Sequence, residues 1–218
     1  MMNKIDYTLY LCTDRELMSC ETIEQSVEEA VKGGVTLVQL REKDLSSRDF
    51  YELAVRVKKI TDKYNVPLII NDRADIALAA DCAGVHVGQS DLPCRELRRI
   101  MGDKLIGVSA ATKEEAVQAV KDGADYLGVG AMFPTNTKTD ARHVTKEQLA
   151  EIRAAADIPI VIIGGVNKNT LGGFKGMGID GIAVISAVVA QPDIKAAAEE
   201  LKRLWTKSVS YTHLRAHE

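Results

Sequence analysis

The chain has 218 residues, 46% hydrophobic and 27% charged, with a net charge of −3. That length buries one sizeable core, and no Pro/Gly/Ser-rich linker divides it; the charge excludes a general attraction for nucleic acid or an anionic membrane surface. No apolar run approaches the roughly 20 residues of a membrane helix, Met1–Tyr7 holds no signal-peptide core, and Cys12, Cys20, Cys82 and Cys94 form no CxxC pair, so a cytoplasmic location with reduced cysteines is expected.

Strands buried on both faces read as short apolar runs. Eight occur in order: Tyr7–Cys12, Val35–Gln39, Pro67–Ile70, Gly84–Val87, Leu105–Val108, Tyr126–Val129, Pro159–Ile163 and Gly181–Ile185. Between them lie segments of helical spacing, such as Phe50, Leu53, Ala54, Val57 and Ile60, with polar residues at the intervening positions. Thr22 with Gln25, Thr112 with Glu115 and Thr145 with Gln148 have the spacing of capping boxes, each opening a helix that follows a strand. Four joints repeat one pattern, a helix ending at glycine and running into an apolar strand: 32–39, 83–88, 122–130 and 178–185. None of the eight runs is polar enough for an exposed edge, so the predicted fold is α/β, a closed (β/α)8 TIM barrel in a single domain over residues 1–207. The last helix is predicted over Asp193–Trp205. Residues 208–218 show neither strand alternation nor a helical face and are expected to stand outside the fold as a non-native or disordered tail.

In such a barrel, polar residues just beyond the strand C-termini face the active site. The second strand ends in Gln39-Leu40-Arg41-Glu42-Lys43, where alternation sends Gln39, Arg41 and Lys43 to one side. These cations either pair with nearby acids or form a clamp for phosphate or pyrophosphate. The third strand runs into Asn71-Asp72-Arg73 and the fourth into Gly88-Gln89-Ser90-Asp91. Singly, Asp72 could pair with Arg73 and Asp91 could cap a turn. Beside a cationic clamp, the two carboxylates suit magnesium, which takes one or two carboxylates together with substrate phosphate oxygens.

Ser109 ends the fifth strand, and no neighbouring histidine in the sequence marks it as an activated nucleophile. The loop 130–140 sets small hydroxyl residues around Lys138, which suits a phosphate cradle, a lid or an ordinary loop. Gly164-Gly165 after the seventh strand and Ile185-Ser186 after the eighth suggest a second phosphate site, because glycine lets backbone N–H groups approach an anion. His86, between Val85 and Val87, is expected to be a satisfied core histidine, and His143 a surface one.

These motifs resemble the thiamine-phosphate synthase family over nearly everything from Tyr7 to Trp205. The likeness is carried, in this order, by Val38-Gln39-Leu40-Arg41-Glu42-Lys43, Asn71-Asp72, Val85-His86-Val87-Gly88-Gln89-Ser90-Asp91, Gly107-Val108-Ser109, Gly130-Ala131-Met132-Phe133-Pro134-Thr135-Asn136-Thr137-Lys138, Ile163-Gly164-Gly165 and Val184-Ile185-Ser186. Ala131 stands where the family pattern usually has proline. The resemblance implies a transferase that joins 4-amino-5-hydroxymethyl-2-methylpyrimidine pyrophosphate to 4-methyl-5-(2-hydroxyethyl)thiazole phosphate, with Mg2+ as cofactor. It implies that Gln39, Arg41, Lys43, Asn71 and Lys138 hold the pyrimidine pyrophosphate, that Asp72 and Asp91 bind the magnesium, and that Ser109 lies against the pyrimidine. Thr135, Thr137, Gly165, Ile185 and Ser186 would receive the thiazole phosphate. Arg41, Lys43, Ser109 and Lys138 are then the expected catalytic positions.

The implied partners are two small phosphorylated substrates, with no nucleic acid and no membrane; oligomeric state stays open, a homo-oligomer included. Two other readings compete. A thiazole tautomerase on the same barrel would need an acid/base residue and no magnesium site, and a non-catalytic barrel would only sense a phosphorylated metabolite.

Overall fold

The structure, a computed structural model, describes residues 5–134 and 142–215, with side-chain surroundings up to Lys207. Its strands are β1 (Leu9–Cys12), β2 (Leu37–Leu40), β3 (Leu68–Asn71), β4 (Gly84–Val87), β5 (Leu105–Ala110), β6 (Tyr126–Val129), β7 (Ile160–Ile162) and β8 (Gly181–Val184). Each pairs in parallel with the next, and β8 closes onto β1 through Leu9–Ile182, Tyr10–Ala183 and Leu11–Val184. The expected closed barrel is therefore the observed one. Its helices are α1 (Ile23–Lys32), α2 (Ser47–Lys63), α3 (Ala74–Ala79), α4 (Cys94–Met101), α5 (Lys113–Lys121), α6 (Lys146–Ala155), α7 (Ser186–Val189) and α8 (Ile194–Arg215).

Three details depart from the sequence expectation. The β7–β8 crossover holds only a short 3₁₀ turn, Leu171–Phe174; Gly172, Gly173, Gly176 and Gly178 crowd it, and each glycine disfavours an α-helix by about 1 kcal/mol. β5 runs on to Ala110, so Ser109 stands inside the strand. The closing helix continues past Trp205 to Arg215, since no Gly or Pro interrupts 206–215. Thr22, Thr112 and Thr145 each accept the backbone N–H three residues on, as expected. The full reciprocal box forms at Thr145 and Gln148.

Strand alternation splits the interior into two layers. Outward residues such as Leu9, Val38, Ile70, Val85, Leu127 and Ile162 pack under the helices. Inward residues Tyr10, Leu37, Ile69, Leu105, Tyr126, Val161 and Ala183 fill the lumen. The four cysteines are free; burial pushes the Cys12 thiol up to about 12 and those of Cys82 and Cys94 up to about 11. Among the described residues, no helix is long and apolar enough to cross a membrane.

At the strand N-termini two arginine staples repeat at the same spacing. Arg98 donates to the carbonyls of Gly102, Lys104 and Gly123 and to Asp125, which also accepts the Ile106 N–H. Arg153 does the same with Ala156, Ile158, Gly178 and Asp180, whose carboxylate accepts the Ile160 N–H. Each ties a helix to the start of two strands away from the barrel mouth. Arg98→Ala strips charge-assisted bonds from several carbonyls and is expected to cost about 2–3 kcal/mol, or roughly 5–10 °C in Tm for a chain of this size. Thermal denaturation reads this, and an unchanged Tm would show that water replaces the staple.

Candidate active site

A cavity of about 970 Å³ opens where the strands end, and Gln39, Arg41, Asn71, Asp72, Asp91, Ser109, Gly165, Ile185 and Ser186 all lie on its wall. One expected residue falls elsewhere. Lys43 is exposed and off the cavity wall: β2 stops at Leu40, so alternation no longer sets its direction. Thr135, Thr137 and Lys138 lie outside the described residues.

Arg41 is placed by its backbone, whose N–H donates to Thr13 Oγ1 at 3.0 Å. Its guanidinium is 3.8 Å from the Asp14 carboxylate, an ion pair too long for a hydrogen bond, so the pair does not commit its N–H donors. Glu42 is taken by Arg15 through two hydrogen bonds of 2.7 and 3.2 Å. The acids expected as neighbours of the clamp are therefore present, yet Arg41 is only loosely held by one.

Asp72 has φ +60°, a left-handed conformation that a short polar side chain tolerates. Its N–H donates to the His86 carbonyl at 2.8 Å, which holds the turn after β3 against the end of β4. Arg73 turns instead to Asp75 and Ser47, so the local pairing considered for Asp72 is not made through that arginine. Asp91 Oδ2 accepts the Gly88 N–H at 2.7 Å. That is the turn-capping role; a carboxylate has further lone pairs to offer.

Among the described residues no group of three or more His, Cys, Asp or Glu could hold a metal by itself. Two hard-oxygen donors at the ends of neighbouring strands still fit the share of magnesium ligands that protein supplies when a phosphate supplies others.

The glycines after β7 are required by the backbone itself. Gly164 and Gly165 have φ +91° and +67°. A Cβ on Gly164 would lie 2.5 Å from Ala131 Cβ, and one on Gly165 2.6 Å from Phe133 Cβ. The Met132 and Phe133 N–H groups donate to the carbonyls of Ile163 and Gly164, so the loops after β6 and β7 are zipped together by backbone. Ala131 donates its own N–H to the Arg142 carbonyl at 2.8 Å, a bond proline could not make.

Sequence reasoning missed the polar residues beneath the mouth. Gln39 Nε2 donates to Tyr10 OH at 2.8 Å, and Tyr10 OH bonds Tyr126 OH at 2.8 Å. Tyr126 OH meets His86 Nδ1 at 3.0 Å, and His86 Nε2 meets Ser109 Oγ at 3.0 Å. His86 is thus the satisfied core histidine expected, but it also contacts a serine of the cavity wall. Among the described residues the second ring nitrogen faces a tyrosine, where a triad would place a carboxylate. Arg142 and Glu115, paired at 2.5 Å, also reach the wall. The available signal was parity: alternation from Tyr126, Gly107 and Gly84 puts Ser109 and His86 on the lumen face.

Comparison with known proteins follows the same outline. Residues 9–188 match the family model for thiamine monophosphate synthase. A thiamine-phosphate synthase of Clostridium beijerinckii is 60% identical over 208 residues, covering 95% of this chain and 100% of that protein. Another from Clostridium botulinum is 57% identical over 208 residues, 95% of this chain and 98% of that one. The solved thiamine phosphate pyrophosphorylase of Pyrococcus furiosus superimposes with a TM-score of 0.87 at 40% identity, covering 94% of this chain and 98% of that structure.

Proposed function

The chain belongs to the thiamine monophosphate synthase family, and on that premise we propose that its barrel mouth joins 4-amino-5-hydroxymethyl-2-methylpyrimidine pyrophosphate to 4-methyl-5-(2-hydroxyethyl)thiazole phosphate. The chain is a transferase of thiamine biosynthesis. The supporting observation is that cationic, carboxylate and glycine-loop residues from β2, β3, β4, β7 and β8 share one cavity wall. Gln39, Arg41, Asn71 and Lys138 hold the pyrimidine pyrophosphate, and Lys43, exposed after β2, would have to turn inward to join them. Thr135, Thr137, Gly165, Ile185 and Ser186 take the thiazole phosphate, and Ser109 lies against the pyrimidine ring. Asp72 and Asp91 would hold magnesium, which supplies charge neutralisation to a departing pyrophosphate.

The C–O bond to pyrophosphate breaks first, because the aminopyrimidine ring delocalises the charge left on its methylene carbon. Arg41 stabilises the leaving oxygens. The thiazole nitrogen then attacks with a lone pair that carries no proton. Capture needs positioning and no general base, which agrees with the tyrosine that faces the second His86 ring nitrogen. We assign this activity to residues 1–207 of a cytoplasmic protein, with 208–218 outside the catalytic domain.

Mixing both substrates with the protein and magnesium should yield thiamine phosphate by mass spectrometry, with equimolar pyrophosphate. An isomerised thiazole without coupling would establish the tautomerase instead, and binding without any product the sensing barrel.

A further inference from the structure

The lumen chain has a direction. At one end Gln39 Nε2 is a donor, so Tyr10 OH accepts there and has its own hydrogen to give onward. Its acceptor is then Tyr126 OH, 2.8 Å away, and Tyr126's own hydrogen has His86 Nδ1 at 3.0 Å; in the reverse order Tyr10's hydrogen would be left unpaired in the lumen, because the Gln39 amide nitrogen cannot accept it. A histidine that accepts at Nδ1 while neutral carries its proton on Nε2. That N–H donates to Ser109 Oγ, 3.0 Å away. The serine accepts from below, and its own hydrogen is left for the cavity it lines.

The surroundings are built for this chain. Tyr10 and Tyr126 are 1% and 0% exposed, in a lumen where a broken link would leave a polar group unpaired. A Cβ on Gly107 would run into Tyr126 and His86 Nδ1, and one on Gly128 would lie 2.9 Å from His86 Cε1. Two glycines at successive inward positions of β5 and β6 thus make the room in which the rings meet. Burial also holds both phenols well above their ordinary titration range, so each keeps the hydrogen it passes on.

We propose that Tyr10, Tyr126 and His86 are positioning residues that fix Ser109 as a hydrogen-bond donor to the cavity, where it recognises a ring nitrogen of the pyrimidine substrate. This rests on the placement of the pyrimidine against Ser109 given above. A serine so fixed favours an acceptor over a donor in the ligand. It would read a ring nitrogen and be indifferent to the exocyclic amino group.

The test couples enzyme variants to substrate analogues. The pyrimidine pyrophosphate is compared with analogues in which each ring nitrogen in turn is C–H, and with one lacking the amino group. The parent enzyme should lose kcat/KM toward one ring analogue. In both Ser109→Ala and Tyr126→Phe that penalty should shrink by about tenfold, with the KM for thiazole phosphate unmoved. If Ser109→Ala relieves the penalty and folded Tyr126→Phe keeps it in full, the chain does not direct the serine and the proposal fails. If coupling falls on the amino group, the chain runs the opposite way and the proposal also fails. If Ser109→Ala relieves no penalty, the placement of the pyrimidine is wrong, while thiamine phosphate formation stands. Nitrogen-15 NMR of His86 in the unmodified enzyme needs no variant. It should show the proton on Nε2, and a proton on Nδ1 overturns the direction.

Discussion

Asp91→Asn should fold like the parent and turn over at least about a hundredfold more slowly. The asparagine keeps an oxygen to accept the Gly88 N–H, the bond that Asp91 Oδ2 makes at 2.7 Å, so the turn after β4 retains its cap. What it loses is one of the two carboxylates that suit magnesium beside the clamp. Metal stabilisation of a leaving group is worth several kcal/mol; a loss of about 3 kcal/mol is about a hundredfold in rate. Asp91→Ala removes the cap as well and should show the same defect together with a lower Tm. Turnover measured against magnesium concentration separates the two effects, because the charge defect of Asp91→Asn should be partly relieved at high magnesium. Full activity of Asp91→Asn in excess EDTA would remove the metal assignment.

Gly165→Val is expected to raise the apparent KM for thiazole phosphate by about tenfold or more, and to weaken the pyrimidine pyrophosphate too. The left-handed φ of +67° costs a residue with a Cβ about 1–2 kcal/mol before any contact is considered. The new Cβ would also meet Phe133 Cβ at 2.6 Å. In sequence Phe133 is followed by Thr135, Thr137 and Lys138, which are proposed for both substrates. Gly172→Ala is the control, since an added Cβ there meets nothing within 4 Å. Steady-state kinetics with each substrate varied in turn checks the pattern. Parent-like KM values for both in Gly165→Val would show that the zipped loops do not shape the site.

The number and order of the strands were legible in the sequence because each rests on local chemistry. A run such as Leu37–Leu40 or Ile160–Ile162 is apolar because both its faces are covered, and threonine caps and glycine joints act within a few residues of themselves. The mouth residues were legible for a related reason: a closed parallel barrel sends every strand C-terminus to one end, so Arg41, Asp72, Asp91 and Gly165 could be read from strand ends. Lys43 shows where that reasoning stops, since alternation holds only while the strand lasts. Contacts between distant residues were decided by the tertiary structure alone. Tyr10 and Tyr126 are separated by 116 positions and meet through their hydroxyls; His86 reaches Ser109 from the next strand because Gly107 and Gly128 leave space for it. Nothing local marks such pairs, because what joins them is the closure of β8 onto β1 and the parity it imposes on every inward side chain.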